Sequence, residues 1–157
     1  MTRLTLGIDP GTGAYAVPDA DGSLVAVNDL PIIRSGKLGW IDAEAFTSQL
    51  LEIRGGTELR ATVERVHAMP RNGSQAAFSQ GATLGSVLAA LQALRARIEL
   101  VTPQSWKRSY GLKSDKAASL DRARLLFPAA DLDRKRDHNR AEALLIAHYA
   151  ATRSAAA

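Results

Sequence analysis

A β-rich apolar run, Leu4-Thr5-Leu6-Gly7-Ile8, ends on a carboxylate, Asp9, and meets the turn cluster Pro10-Gly11-Thr12-Gly13 before Ala14-Tyr15-Ala16-Val17 resumes an extended pattern. This hairpin constrains the fold more than any other part of the chain. Its first strand ends in a charge, and burying a carboxylate is expensive unless it is paired or bound to a cation. A second turn, Asp19-Ala20-Asp21-Gly22, precedes Leu24-Val25-Ala26-Val27, so three short strands make an antiparallel meander. From Asp42, an acceptable N-cap, Phe46, Leu50 and Ile53 recur at helical spacing until Gly55-Gly56 stops the run. Arg60 to Val66 then reads as a strand, Ser74 to Arg95 as a long helix, and Ile98 to Val101 as a further strand. The prediction is an α/β chain with a mixed five-stranded sheet, an antiparallel meander followed by βαβαβ, flanked by helices. Pro103 starts a short helix carrying Trp106 and Tyr110, Ser114 or Asp115 caps another through Phe127, and a last helix runs from near Asp137 to Thr152.

With 157 residues the chain reads as one domain, residues 1–153, followed by a frayed tail at 154–157. There is no cysteine, which excludes disulfides, thiolate metal sites and cysteine nucleophiles, so any metal must sit on oxygen or imidazole. No stretch has the roughly 18 apolar residues of a membrane span, and Met1-Thr2-Arg3 followed by a strand does not read as a signal peptide; a cytoplasmic protein without membrane contact is expected. The net charge of +4 is unevenly spread. Residues 1–64 hold five Lys/Arg against nine Asp/Glu, whereas residues 95–140 hold twelve against six. A basic second half raises the odds of a polyanionic partner.

Glu64, within Thr62-Val63-Glu64-Arg65-Val66, ends its strand much as Asp9 ends the first, and adjacent central strands would bring the two acids into one site. Two such carboxylates repel unless a cation lies between them. Magnesium, which takes oxygen ligands and retains waters, suits two or three convergent acids and phosphodiester hydrolysis. The last helix adds Asp137-His138-Asn139-Arg140-Ala141-Glu142. Four residues at about 100° each place Glu142 within about 40° of His138, whereas Asp137 lies about 140° away. His138 and Glu142 are therefore the better ligand pair. Spacing equally admits Asp137 as an N-cap, His138 as an exposed residue and Glu142 as the partner of an arginine.

Taken in order, Gly7-Ile8-Asp9-Pro10-Gly11-Thr12-Gly13, Val63-Glu64-Arg65-Val66 and Arg140-Ala141-Glu142-Ala143-Leu144-Leu145-Ile146-Ala147 resemble RuvC-type Holliday-junction resolvases of the ribonuclease H-like superfamily, over nearly the whole chain. Gln80 to Gly85 and Val101 to Lys107 add to the likeness, and the tail is most similar to the phage and organelle branch. The resemblance implies a ribonuclease H-like fold and a structure-selective endonuclease. Such an enzyme resolves four-way DNA junctions by paired, metal-dependent cuts that leave 5′-phosphate and 3′-hydroxyl ends. Asp9, Glu64 and Glu142 match its acidic positions. The fourth group, from the residues just before Arg140, is expected at His138, then Asp137, then Asn139. Two Mg²⁺ or Mn²⁺ ions about 4 Å apart would activate a water and stabilise the leaving oxygen.

Lys107, Arg108, Lys113 and Lys116 surround Trp106 and Tyr110 in a mixture suited to phosphate contacts. Lys107 and Lys116 match family positions beside the scissile phosphate, and Lys116 joins the catalytic set. Arg134-Lys135-Arg136 is a second phosphate-contact candidate. The loop after Glu64 carries His67, Met69 and Arg71, where the family has a segment that enters the junction; His67 or Met69 could act as a wedge, and Met69 could instead cover the core. Gly81, Gly85 and Ala89 form a small-residue helix face open either to a partner subunit or to the sheet, and the family implies a homodimer. The opening motif also resembles actin-like phosphotransferases, but one domain of this size offers no second phosphate loop. A related nuclease acting on flaps or RNA, and a junction binder that does not cut, are the remaining alternatives.

Overall fold

The computed structural model describes residues 3–11, 13–18 and 23–155. Thr12 and the expected turn Asp19-Ala20-Asp21-Gly22 lie outside them. In chain order the strands and helices are β1 (Arg3–Asp9), β2 (Ala14–Pro18), β3 (Leu24–Asp29), β4 (Ile32–Ser35), β5 (Leu38–Ile41), α1 (Ala43–Arg54), β6 (Glu58–Glu64), α2 (Ser74–Ala93), β7 (Arg97–Val101), α3 (Pro103–Ser109), α4 (Lys116–Leu126) and α5 (His138–Ala155). The main sheet has the order β3-β2-β1-β6-β7, with β1 antiparallel to β2 and parallel to β6, and β6 parallel to β7. This is the mixed five-stranded sheet the sequence predicts.

Register assigns each strand residue a face. Gly7 pairs with Thr62 on one side and Ala16 on the other, and Thr62 pairs with Glu99, so these positions share one face of the sheet. Asp9 and Glu64, each two residues further along, share it too. The opposite face carries Leu6, Ile8, Tyr15, Val17, Ala61 and Val63, which pack with Phe46 and Leu50 of α1 and Val87 and Leu91 of α2. On the acid-bearing face Ala14, Ala16 and Val101 pack with Trp106, Leu120, Phe127, Leu144 and Leu145 of α3, α4 and α5 and the turn after α4. Small residues let α5 lie close to the sheet. A Cβ on Gly7 would stand 2.3 Å from the Ala143 carbonyl oxygen and 2.4 Å from the Ala147 nitrogen, so only glycine fits there.

The helix ends follow their caps. Asp42 accepts from the Ala45 N–H, Gly55 closes α1 in the left-handed region at φ 54°, Thr102 caps α3 ahead of Pro103, and Asp115 caps α4 through the Ala117 N–H. The β4–β5 hairpin, turned at Gly36 with φ 60°, is an addition to the sequence reading. All four residues of β4 are exposed, so no alternation between buried and solvent-facing positions announces it. The last helix begins one residue later than expected, after a 3₁₀ turn over Lys135–Asp137, and it continues to Ala155. Ser154, expected to fray, accepts a hydrogen bond from Arg60 at 3.0 Å. Among the described residues no helix is long and apolar enough to cross a membrane.

Candidate active site

Three carboxylates are buried on the face under α5: Asp9, Glu64 and Glu142, at 1%, 9% and 4% exposure. Asp9 and Glu64 end the neighbouring parallel strands β1 and β6, and Glu142 comes from the first half of α5. The turn predicted after Asp9 is built around it. The Gly11 N–H donates to Asp9 Oδ1 at 3.0 Å and the Gly13 N–H to its main-chain oxygen at 3.0 Å, Gly13 taking φ 84°.

Glu64 and Glu142 are each held by a short list of partners. The indole N–H of Trp106, fully buried, donates to Glu64 Oε2 at 2.7 Å. The ammonium of Lys107 stands 3.1 Å from Glu142 Oε1 and 5.1 Å from the Trp106 ring centre. The Ser119 hydroxyl, on α4, approaches the same Glu142 oxygen at 3.4 Å. Burial pushes the Glu64 carboxyl above the ordinary glutamate value; the Trp106 hydrogen bond opposes that, the charge of Glu142 adds to it, and Lys107 and His67 oppose it more weakly. The two glutamates are therefore near enough to repel, and a positive charge between them is favoured.

The donors fit a hard divalent cation in kind: all are buried carboxylate oxygens on one face of the sheet, with Glu64 and Glu142 near enough to feel each other's charge. Among the described residues no three His, Asp or Glu side chains close into a ready cluster. Lys107 supplies the counter-charge on Glu142.

The residues just before Arg140 divide. Asp137 is buried, but its carboxylate accepts from the Arg134 backbone N–H at 2.8 Å and lies 2.7–2.9 Å from the Arg134 guanidinium. These hydrogen bonds outweigh its burial and hold its pKa below the ordinary aspartate value. Asp137 thus ties the turn into α5 to Arg134, whose guanidinium pairs with it while staying partly exposed. The His138 ring is anchored through Nδ1 on the Lys135 carbonyl at 3.4 Å, and His138, with Asn139 and Gly13, lines a cavity of about 350 Å³. It has the same helix phase as Glu142, one turn earlier, without a hydrogen bond to it. Arg136 also lines that cavity, and Lys135 and Arg136 are exposed.

Lys107, Arg108 and Lys113 line one cavity of about 550 Å³. Lys116 is exposed at the start of α4, one turn before Ser119 and on the same side of that helix. His67, Met69 and Arg71 are all exposed in the segment after β6, with Met69 clear of the core.

Two contributors escaped the sequence reading. Ser119 carries no local signal, because its contact is with a residue 23 positions away. Arg140 donates to Asp29 at 2.9 and 3.2 Å and to Asp131 at 3.0 Å, tying the first turn of α5 to the end of β3. Trp106 lies wholly in the core and is the hydrogen-bond donor to Glu64.

No protein-family model and no curated protein matches the chain. Among solved structures, Thermus thermophilus RuvC in complex with a Holliday junction substrate matches with a TM-score of 0.68 and 20% identity, over 99% of this chain and 96% of that one. A second Thermus thermophilus RuvC structure matches with a TM-score of 0.57 and 20% identity, over 99% and 97%. The likeness establishes the fold: the described residues have the ribonuclease H-like architecture of RuvC.

Proposed function

We propose that the chain is a divalent-metal-dependent endonuclease that cuts four-way DNA junctions in paired fashion as a homodimer. The observation that carries this reading is the burial of Asp9, Glu64 and Glu142 on one face of a sheet whose fold is that of a protein solved with a Holliday junction. Asp9, Glu64 and Glu142 would hold Mg²⁺ or Mn²⁺, two ions in the family pattern, which when bound lower the pKa of an attacking water and offset charge on the phosphate.

The chain's own residues do the rest. The tight turn at Gly11 and Gly13 fixes Asp9, Trp106 fixes Glu64, and Ser119 and Lys107 fix Glu142, so little reorganisation is needed as charge develops. Lys107, half-buried beside Glu142, is placed to meet a phosphate oxygen, and Lys116 approaches from the same side of α4. His138, one turn before Glu142, is the fourth group. A water oxygen bonds to phosphorus, the P–O3′ bond breaks, the water gives up its proton and O3′ gains one, leaving a 5′-phosphate and a 3′-hydroxyl. Lys113, Arg108, Lys135 and Arg136 contact the arms, and His67, Met69 and Arg71 face the junction centre. For the dimer, Gly81 and Gly85 present an open helix face beside Phe78, which is 66% exposed. A C₂ pair would place two sites on a substrate of matching symmetry.

The Lys107–Glu142 bridge favours one second reading, a junction-binding protein that does not cut. Incubation with a mobile four-way junction, a flap and a linear duplex, in Mg²⁺, Mn²⁺ or EDTA, separates the two. Symmetric nicks confined to the junction and dependent on metal support the nuclease; retardation without nicks supports the binder; cutting of all three substrates contradicts junction selectivity.

A further inference from the structure

Two cavities meet at the start of α3, and one ridge divides them. The larger, about 550 Å³, has Lys107, Arg108, Lys113 and Leu112 in its wall; the smaller, about 160 Å³, has Arg65 and His67. Pro103 and Gln104 line both. Neither has an acidic lining residue. The larger is within the roughly 300–1,000 Å³ of small-ligand pockets, enough for one nucleotide. Its wall reaches the carboxylates directly, because Lys107 is also the residue bridged to Glu142 at 3.1 Å.

The cavity wall has two chemistries. Lys107, Arg108 and Lys113 are cations for a phosphate. Pro103 and Leu112 are flat or branched apolar groups against which a base can pack, Leu112 being brought back beside Lys107 by the left-handed turn at Gly111 (φ 65°), with its N–H on the Lys107 carbonyl at 2.9 Å. Among the side chains of that wall, Gln104 alone presents a carboxamide, with a donor and an acceptor side by side, the pair that can engage two adjacent atoms of a base edge. It is exposed at the ridge, and none of the hydrogen bonds among the described residues that define α3 and its caps requires its side chain.

We propose that the larger cavity seats one nucleotide of the strand lying over the carboxylates, and that Gln104 reads its base, giving the protein a sequence preference next to the cut. The proposal rests on the nuclease reading for the position of that strand. Phosphate contacts from the lysines set the register and carry no sequence information, whereas the carboxamide does.

The test is a four-way junction with randomised bases around the crossover, bound in EDTA by the wild-type protein, Gln104→Ala and Gln104→Glu, with bound and input pools sequenced. The wild-type pool is expected to favour one base at one position by at least about fivefold, Gln104→Ala to lose that bias, and Gln104→Glu to shift it towards cytosine, whose amino group a carboxylate accepts from. No bias in the wild-type pool, or the same bias in all three, would overturn the proposal. Cleavage of the same library in Mg²⁺ is scored separately: bias that depends on Gln104 without any nicks leaves the subsite standing and removes the nuclease.

Discussion

The indole N–H of Trp106 donates to Glu64 across 2.7 Å inside the protein, so a core aromatic and a buried acid are one unit. The acid still carries an unfavourable burden. Its pKa is raised by burial and by Glu142, so the folded state holds a proton on Glu64 more readily than the unfolded chain does. That contribution to stability is present below the unfolded value and is lost as pH rises through the folded one. Glu64→Gln, which keeps an acceptor for Trp106, is therefore expected to stabilise the metal-free protein at pH 7 by about 1 kcal/mol while abolishing cleavage. Thermal denaturation of both proteins in EDTA checks it; a lower melting temperature for the variant would count against a repulsive carboxylate pair.

His148 behaves in the opposite sense. Burial lowers its pKa, and its ring lies 2.7 Å from the Tyr110 hydroxyl and edge-on to Phe127. The unfolded chain takes up the proton first, so stability is full above the ordinary histidine value of about 6.5 and falls as pH drops below it. Between pH 7 and pH 5 the melting temperature of the wild type should fall relative to that of His148→Gln, a comparison in which the opposite contribution of Glu64 cancels; the same pH dependence in both proteins would contradict it.

Gly7→Ala is expected to cost about 3 kcal/mol or to leave the protein insoluble, because the added methyl meets backbone atoms of α5 that no side-chain rotation can move aside. Urea titration measures it, and a loss below about 1 kcal/mol would mean that α5 can lift from the sheet without penalty.

The sheet was legible because its strands are short apolar runs bounded by turns, and Asp9 and Glu64 stand out as charges at the ends of such runs. Register then did what sequence order could not: it placed both acids beneath α5. The start of that helix was only half legible. Angles counted from Asp137 assume a helix that already exists there, whereas Lys135–Asp137 form a 3₁₀ turn and Asp137 is consumed by Arg134. The Lys107–Glu142 and Ser119–Glu142 contacts join residues far apart in the chain, and no local pattern encodes them. The β4–β5 hairpin was missed because β4 is exposed throughout.

Asp9→Asn tests the central claim most directly. The substitution keeps the size of the side chain and an oxygen for the Gly11 N–H while removing one of the three carboxylate charges of the proposed site. On a four-way junction in Mg²⁺, the account predicts a loss of cleavage of at least about a hundredfold, the scale seen when one group of a preorganised charged site is removed, with junction binding in EDTA retained. Cleavage at the wild-type rate by Asp9→Asn would contradict it.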